Sequence, residues 1–509
     1  MRFRRPFLDI ALLLAYHGRR ICVLASLTET ALVTGALPSP HLRGWGVPAT
    51  LAVLAILLAY LPLDLVLLAA GAGTGALALI RAPWLIWPLL GVALPFAAGV
   101  RLGPVAGSDV LLAGAVGLWF ADGARRGTLR LTWYAPATLG LLYAGVLLGV
   151  SLGAVQLGEA TKEVLKWSEF VLVLLVLPQM VAPRHAAWVV GGLLFGAVLQ
   201  AGLGLVQFVL QIGPEWFVIM GRFMRASGTF RQPNPFAGYL GLTLPVAVSL
   251  ALWGWAALWR TRDSRSHVIC PALVALSATV AAGIIGAGLL ASWSRGGWLG
   301  AAAGVATVIV FRSRRTFMLA LLAVTVLLAA VLLGSFGNMP LPEPVAARVQ
   351  DLPAYFGMTD VLSQPVTDEN FSVIERLAHW VAAVRMWEQA PWFGIGPGNY
   401  AVIYPNVRLP RWEDALGHAH NVYLNVLAES GLAGLAAYGA LGLGTLAWVI
   451  KRRHLVGAES WWNALALGVL GVLVHLTVHN LVDNLFVQGM VVLLGLWLAL
   501  VQLAPRETA

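Results

Sequence analysis

The sequence predicts an all-α, polytopic integral membrane protein of roughly 12–14 transmembrane helices with one large extracytoplasmic loop domain. Three observations carry this. The 509 residues are 59% hydrophobic and only 11% charged, where a soluble domain would carry about a quarter charged residues. Apolar runs long enough to cross a bilayer recur from about residue 48 to residue 503. Short loops rich in arginine alternate with loops that are not, which is how orientation is encoded in a membrane protein.

The elements follow in order. The start, Met1-Arg2-Phe3-Arg4-Arg5, is basic without an obvious cleavage site and reads as a cytoplasmic flank, not a removed signal. Residues 1–133 form an N-terminal membrane region with apolar segments near 21–38, 48–62, 63–80, 84–100 and 106–121. Either all five cross, which puts the N-terminus opposite the other basic loops, or one lies in the interface. Residues 134–335 form the core, with spans near 134–155, 165–182, 186–210, 234–258, 268–292, 297–311 and 316–335. Residues 336–419 form an extracytoplasmic domain with Pro/Gly turns at both ends. Its central helix begins near Ser372-Val373-Ile374-Glu375, a capping-box pattern, and stops before Pro391. Residues 420–509 return to the membrane, with spans near 420–450, 463–481 and 486–503.

Orientation and exclusions come from the charges. The basic loops hold Arg125, Arg126 and Arg130; Arg260, Arg262 and Arg265; Arg312, Arg314 and Arg315; and Lys451, Arg452 and Arg453. These are assigned to the cytoplasmic side. The net charge of +10 is dispersed over such loops, so nucleic acid is excluded as a partner and membrane lipid is the expected surroundings. Cys22 and Cys270 sit in or beside apolar segments and make neither a disulfide framework nor a Cys-x-x-Cys metal pattern.

With the basic loops placed inside, a second set of arginines is left outside: Arg222, Arg225 and Arg231, then Arg295, then Arg348, Arg376, Arg385, Arg408 and Arg411. Arg295 sits in a tight turn, Ser292-Trp293-Ser294-Arg295-Gly296-Gly297-Trp298. An arginine there either snorkels to headgroups or offers its planar fork to phosphate oxygens. Residue type alone does not decide, because Lys162, Lys166 and Lys451 are the only lysines among 33 basic residues. The polar segment re-enters the membrane at Gly417-His418-Ala419-His420-Asn421-Val422-Tyr423-Leu424, with Gly431 beyond. Imidazole exchanges protons near neutral pH, so histidines at such a boundary are candidates for acid–base chemistry. Farther on, His475, His479 and Asp483 fall at helical spacing on one face. They are read as an internally paired polar stripe ahead of a metal site, so no metal is expected. Gly394 to Asn399 reads as a turn, and Gly431 as a site of close helix packing.

Taken together these pieces resemble the O-antigen ligase and O-antigen polymerase superfamily of bacterial envelope proteins. The resemblance rests on Gly228-Thr229-Phe230 with Asn234-Pro235-Phe236-Ala237, on Ser294-Arg295-Gly296-Gly297-Trp298-Leu299, and on Arg376, Trp380 and Pro391-Trp392-Phe393-Gly394. It closes with His418-Ala419-His420-Asn421 and Gly431, and covers roughly residues 200 to 450. The ligase spacing of His, ten residues, Gly selects His420 over His418. The resemblance implies a fold like that of large membrane-embedded glycosyltransferases. It further implies metal- and cofactor-free transfer of a glycan from undecaprenyl diphosphate to an acceptor glycan, lipid A-core or protein hydroxyl. The place would be the periplasmic face of the bacterial inner membrane. On this reading His420 is the base, and Arg295 and Arg225 meet the diphosphate charge. Asn421, Arg376, Arg385, Asp483, His418 and Asn234 bind substrate around them. Polymerase and protein O-oligosaccharyltransferase use the same chemistry; a transporter or flippase is the rival of another class, against which no inverted repeat is found.

Overall fold

The computed structural model describes residues 73–97, 99–103, 105–219, 221–260, 271–335, 365–366 and 370–505. The expected segments 21–38 and 48–62, most of 63–80, both cysteines, Arg262, Arg265, Arg348 and the first part of the 336–419 domain lie outside the described residues. The chain divides into two units, Met1–Ala82 and Pro83–Ala509. In the first, Gly73–Arg81 is helical (α1). The second is almost wholly helical, with two short β-hairpins, Arg101–Leu102 with Val105–Ala106 and Val218–Ile219 with Phe223–Met224.

Its helices are α2 (Ile86–Ala97), α3 (Gly107–Arg126), α4 (Ala135–Ser151), α5 (Leu157–Met180) and α6 (Ala186–Leu210). Then come α7 (Pro233–Gly241), α8 (Leu244–Arg260), α9 (Pro271–Ala291), α10 (Arg295–Arg312) and α11 (Arg314–Ser335). The last are α12 (Phe371–Gln389), α13 (Tyr400–Val407), α14 (Val422–His454), α15 (Trp461–His479) and α16 (Met490–Gln502). Among the described residues five helical stretches are long and apolar enough to cross a membrane: Pro183–Leu210, Pro233–Arg260, Pro271–Ala291, Val422–His454 and Trp461–His479. The protein is an all-α, polytopic membrane protein.

Small residues set the closest helix pairing. Gly296, Gly300 and Gly304 recur every fourth residue along α10 and face α15, where a Cβ on Gly304 would lie 2.6 Å from the Gly471 carbonyl oxygen. Without side chains in that seam the two backbones approach closely, which substitutes for the hydrophobic driving force absent in lipid. A Cβ on Gly300 would lie 2.8 Å from His475 Nδ1, so the same stripe makes room for the buried imidazole of α15.

The long helix α14 is broken at Gly431, whose φ of 62° and ψ of −163° are not helical. The segment Pro391–Gly396 fills the break. Leu432 and Ala433 N–H donate to the carbonyls of Pro391 and Trp392 at 2.9 and 3.1 Å, and Ile395 and Gly396 N–H donate to those of Ala428 and Glu429 at 3.1 and 2.9 Å. A Cβ at Gly431 would overlap the Trp392 carbonyl carbon. Gly431 thus admits a loop backbone, and the expected helix–helix contact is corrected to a helix–loop one.

Two opposite ends of the bundle result. At one, Arg453 donates to Phe311 O, Arg260 pairs with Glu459 at 2.7 Å, and Arg312 donates to Leu252 O at 2.8 Å. At the other, the turns following α9 and α15 and preceding α14 come together with α12.

Candidate active site

The turn that enters α14 is built from left-handed residues: Leu416 (φ 50°), Gly417 (φ 87°) and His420 (φ 50°). A non-glycine residue in that region stores about 1–3 kcal/mol of backbone strain, which surroundings must over-determine. They do so here. Asn421 caps α14, its Oδ1 accepting from Leu424 N–H at 3.1 Å, while its Nδ2 donates to Leu481 O at 3.0 Å. Val422 N–H donates to Asn480 O at 3.0 Å, and Ala419 N–H to Asn425 Oδ1 at 3.0 Å. The histidine turn is thereby stitched to the turn after α15, which carries Asp483.

His420 Nδ1 lies 3.3 Å from Asp483 Oδ1, with both side chains largely buried. This is a charge-pair distance, and it favours the tautomer with the proton on Nδ1. Nε2 is then the basic atom; both ring nitrogens are buried without a hydrogen bond among the described residues, the approach of Nδ1 to Asp483 being a charge-pair contact. Burial acts to raise the Asp483 carboxyl, but the pull of His420, with His418 and His479 behind it, wins and holds it well below the usual carboxylate range. His418 Nδ1 accepts the His420 backbone N–H at 3.1 Å, and the two rings lie 4.4 Å apart. Burial and then His420 push the His418 imidazole down to about 3, so it stays neutral.

His418, His420 and Asp483 place three donor atoms within 4.8 Å of one another, the donor types of a metal site. However, His418 Nδ1 is already an acceptor. A neutral ring then carries its proton on Nε2 and has no lone pair there to give a cation. The geometry suits an acid–base pair better than a three-ligand metal centre.

The arginines converge from two elements. Arg295 is the first residue of α10, whose N-cap Ser294 accepts from Gly297 N–H at 3.3 Å. Its guanidinium donates to Ser372 Oγ at 2.6 Å, and Arg376 donates to Ser372 O at 3.0 Å. This corrects the expected capping box: Asn370 is the N-cap of α12, and Ser372 lies inside the helix as the partner of Arg295. Arg225 Nε donates to Ser292 O at 2.9 Å and Nη2 to Asn234 Oδ1 at 2.8 Å. Arg225 and Asn234 therefore brace the turn that presents Arg295. Arg385 takes another direction, donating to Val407 O at 2.9 Å beside a groove of about 480 Å³ lined by Leu377, Trp380 and Leu424.

The expected helical stripe of His475, His479 and Asp483 is shorter by one residue. The helix α15 ends at His479 with Asn480 as C-cap, so Asp483 sits in the following turn and not on the helical face of His475 and His479. Its close partner is His420. Other residues were not foreseen. Glu375 and His379 on α12 face the same turn: burial holds the Glu375 carboxyl above its usual range against His420 and Arg376, and the His379 ring lies 5.8 Å from that of His420. Trp380 Nε1 donates to His420 O at 3.4 Å. The signal for these was present, since Glu375, Arg376, His379 and Trp380 share one side of a helix by spacing.

Against known proteins, residues 278–439 match a family model described as O-antigen ligase. No curated protein matches the chain. The matched stretch contains Arg295, Arg376, His418 and His420 and stops short of Asp483.

Proposed function

We propose, from the match of residues 278–439 to the family model described as O-antigen ligase, that the chain transfers a glycan from undecaprenyl diphosphate to an acceptor hydroxyl on the periplasmic face of the bacterial inner membrane. The observation that carries the reading is the His420–Asp483 pair set beside Arg376 and Arg295, at the end of the bundle opposite its Arg-rich end. In short loops that basic end belongs inside, which puts the site outside.

The residues divide the work. His420 Nε2 takes the proton of the acceptor hydroxyl as its oxygen attacks the sugar C1. The bond from C1 to the carrier phosphate oxygen breaks, and undecaprenyl diphosphate leaves with the electron pair. Asp483 holds the ring and balances the imidazolium that forms, as in other His–carboxylate dyads. Arg295 and Arg376 meet the charge that grows on the diphosphate, with Arg225 and Asn234 fixing the Arg295 turn. Asn421 keeps the His420 turn on α14, and Arg385 lines the neighbouring groove, where it contacts substrate. No step calls for a metal or a nucleotide sugar.

The test is reconstitution with undecaprenyl-diphosphate glycan and an acceptor in the presence of a chelator. Product should form, and His420→Ala should lower turnover by about 10²–10⁴. Arg295→Ala should cost about as much, on the order of 10²–10³. Normal turnover in both variants would remove this site from the reaction. Offering lipid A-core, a second carrier-linked glycan and a protein hydroxyl in parallel separates ligase, polymerase and protein O-oligosaccharyltransferase. Solute movement with the carrier left intact would select the transporter instead.

A further inference from the structure

The segment Pro391-Trp392-Phe393-Gly394-Ile395-Gly396 is where a loop backbone lies against a membrane-spanning helix. The apolar run of α14 extends from Gly431 to Ile450 without a charge and is closed by Lys451, Arg452, Arg453 and His454. At 1.5 Å per residue that run spans about 30 Å, the thickness of a hydrocarbon core. Measured from the basic end, the break at Gly431 therefore falls at the far boundary of the hydrocarbon. The residues before it, Val422 to Ser430, include Asn425 and Glu429 and rise above that boundary.

Non-helical backbone is tolerated at such depth only where protein satisfies its polar groups. The four bonds between 391–396 and 428–433 meet that condition from both strands of the contact. Gly394 (φ 67°) and Gly431 (φ 62°) allow the approach, since a Cβ on either would overlap the opposite backbone. Within this fixed wedge, Ile395 faces the protein at 6% exposure, while Trp392 and Phe393 are 68% and 65% exposed. Leu432 beside them is 38% exposed, and no residue from Pro391 to Asn399 is charged. Large aromatic side chains, left bare at the height where a span ends, match the interfacial belts of membrane proteins.

We propose that Pro391–Gly396 is a bilayer-inserted wedge whose Trp392 and Phe393 pack into the phospholipid interface at the site end of α14. The occupant of this apolar patch is lipid, because the patch is continuous with the lipid-facing surface of the span it caps. Through Ile395 and Gly396 the wedge holds Ala428 and Glu429, and through them the first turns of α14, which follow His420. It would therefore set the height of the histidine turn above the membrane, whichever reaction that turn performs.

The test uses the full chain in phospholipid vesicles, with Cys22→Ser and Cys270→Ser as background. Nitroxide labels are placed at Trp392→Cys, Phe393→Cys and, on the helix side of the patch, Leu432→Cys, with exposed Glu413→Cys as reference. Collision rates are read with oxygen, which concentrates in bilayers, and with a water-soluble nickel chelate. The wedge positions should collide more with oxygen and the reference more with nickel. If labels at 392 and 393 met the nickel chelate as freely as the label at 413, the wedge would be in water and the proposal overturned. A poorly folding Trp392 variant leaves the decision to Phe393 and Leu432, which belong to the same patch.

Discussion

At the scale of single residues, the candidate site holds two imidazoles, His379 and His418, that burial keeps neutral. Burial, and then the neighbouring His420, push His379 down to about 4, while Asp414 opposes them. Its ring stacks on Tyr404 at 4.6 Å, and its Nδ1 meets the Tyr400 hydroxyl at 3.0 Å. In the unfolded chain the same group titrates near 6.5. As pH falls from about 6.5 to about 4, the unfolded state takes up a proton that the folded state refuses, so stability present above that window is lost within it. Each unit of depression is worth about 1.4 kcal/mol. The melting temperature should drop over this range, and His379→Asn, less stable at neutral pH, should lose less on acidification. Equal slopes for the two proteins would assign the acid sensitivity elsewhere. The sequence motif pointed to His420; Asp483 was expected through a helical register it does not occupy, and the structure sets it 3.3 Å from His420. His379 was missed although it shares one side of α12 with Arg376 and Trp380, because helical spacing does not say what packs against that side.

At the scale of elements, the feature that matters most is the break in α14. Hydropathy read one continuous span there, since a glycine inside an apolar run is ordinary in membrane helices. The bonds that make it a break come from a segment some 35–40 residues earlier in the chain, and no local pattern announces them. By contrast the starts of α10 and α15 are fixed locally, Ser294 and Ser460 acting as N-caps that accept from Gly297 and Asn463 N–H. The break makes a sharp prediction. Gly431→Ala sets a Cβ against the Trp392 backbone at a positive φ and should destabilise by more than the ~1–3 kcal/mol of strain alone. Gly439→Ala, in the same helix with nothing within 4 Å, should be neutral or stabilising by up to about 1 kcal/mol. Thermal melts of the two variants in one detergent check this, and comparable melting temperatures would mean the break is not held by the loop.

At the scale of the whole molecule, the basic cluster and the candidate site occupy opposite ends of the bundle. Arg260, Arg312 and Arg453 gather with Glu459 at one end, and Arg125 and Arg126 close α3. Tyr134 belongs to that same end, its ring 5.3 Å from Trp448 near the basic finish of α14. The arginines that face Ser372 and the His420–Asp483 pair lie at the other. The first set, half-buried at Arg312 and Arg453 and bonded there to backbone carbonyls, is the end that the preference of short basic loops for the inside would place in the cytoplasm; in the second, Arg295 and Arg376 bond to Ser372 and His420 pairs with Asp483. A carrier lipid loaded on the far leaflet would thus meet the second set without crossing the bilayer. Single cysteines at Ser313 and Glu413, in a background lacking Cys22 and Cys270, separate the two ends. In intact cells a membrane-impermeant maleimide should label position 413, and position 313 only after the membrane is opened. Labelling in the reverse order would invert the protein, and with it the leaflet from which any lipid-linked substrate could reach His420.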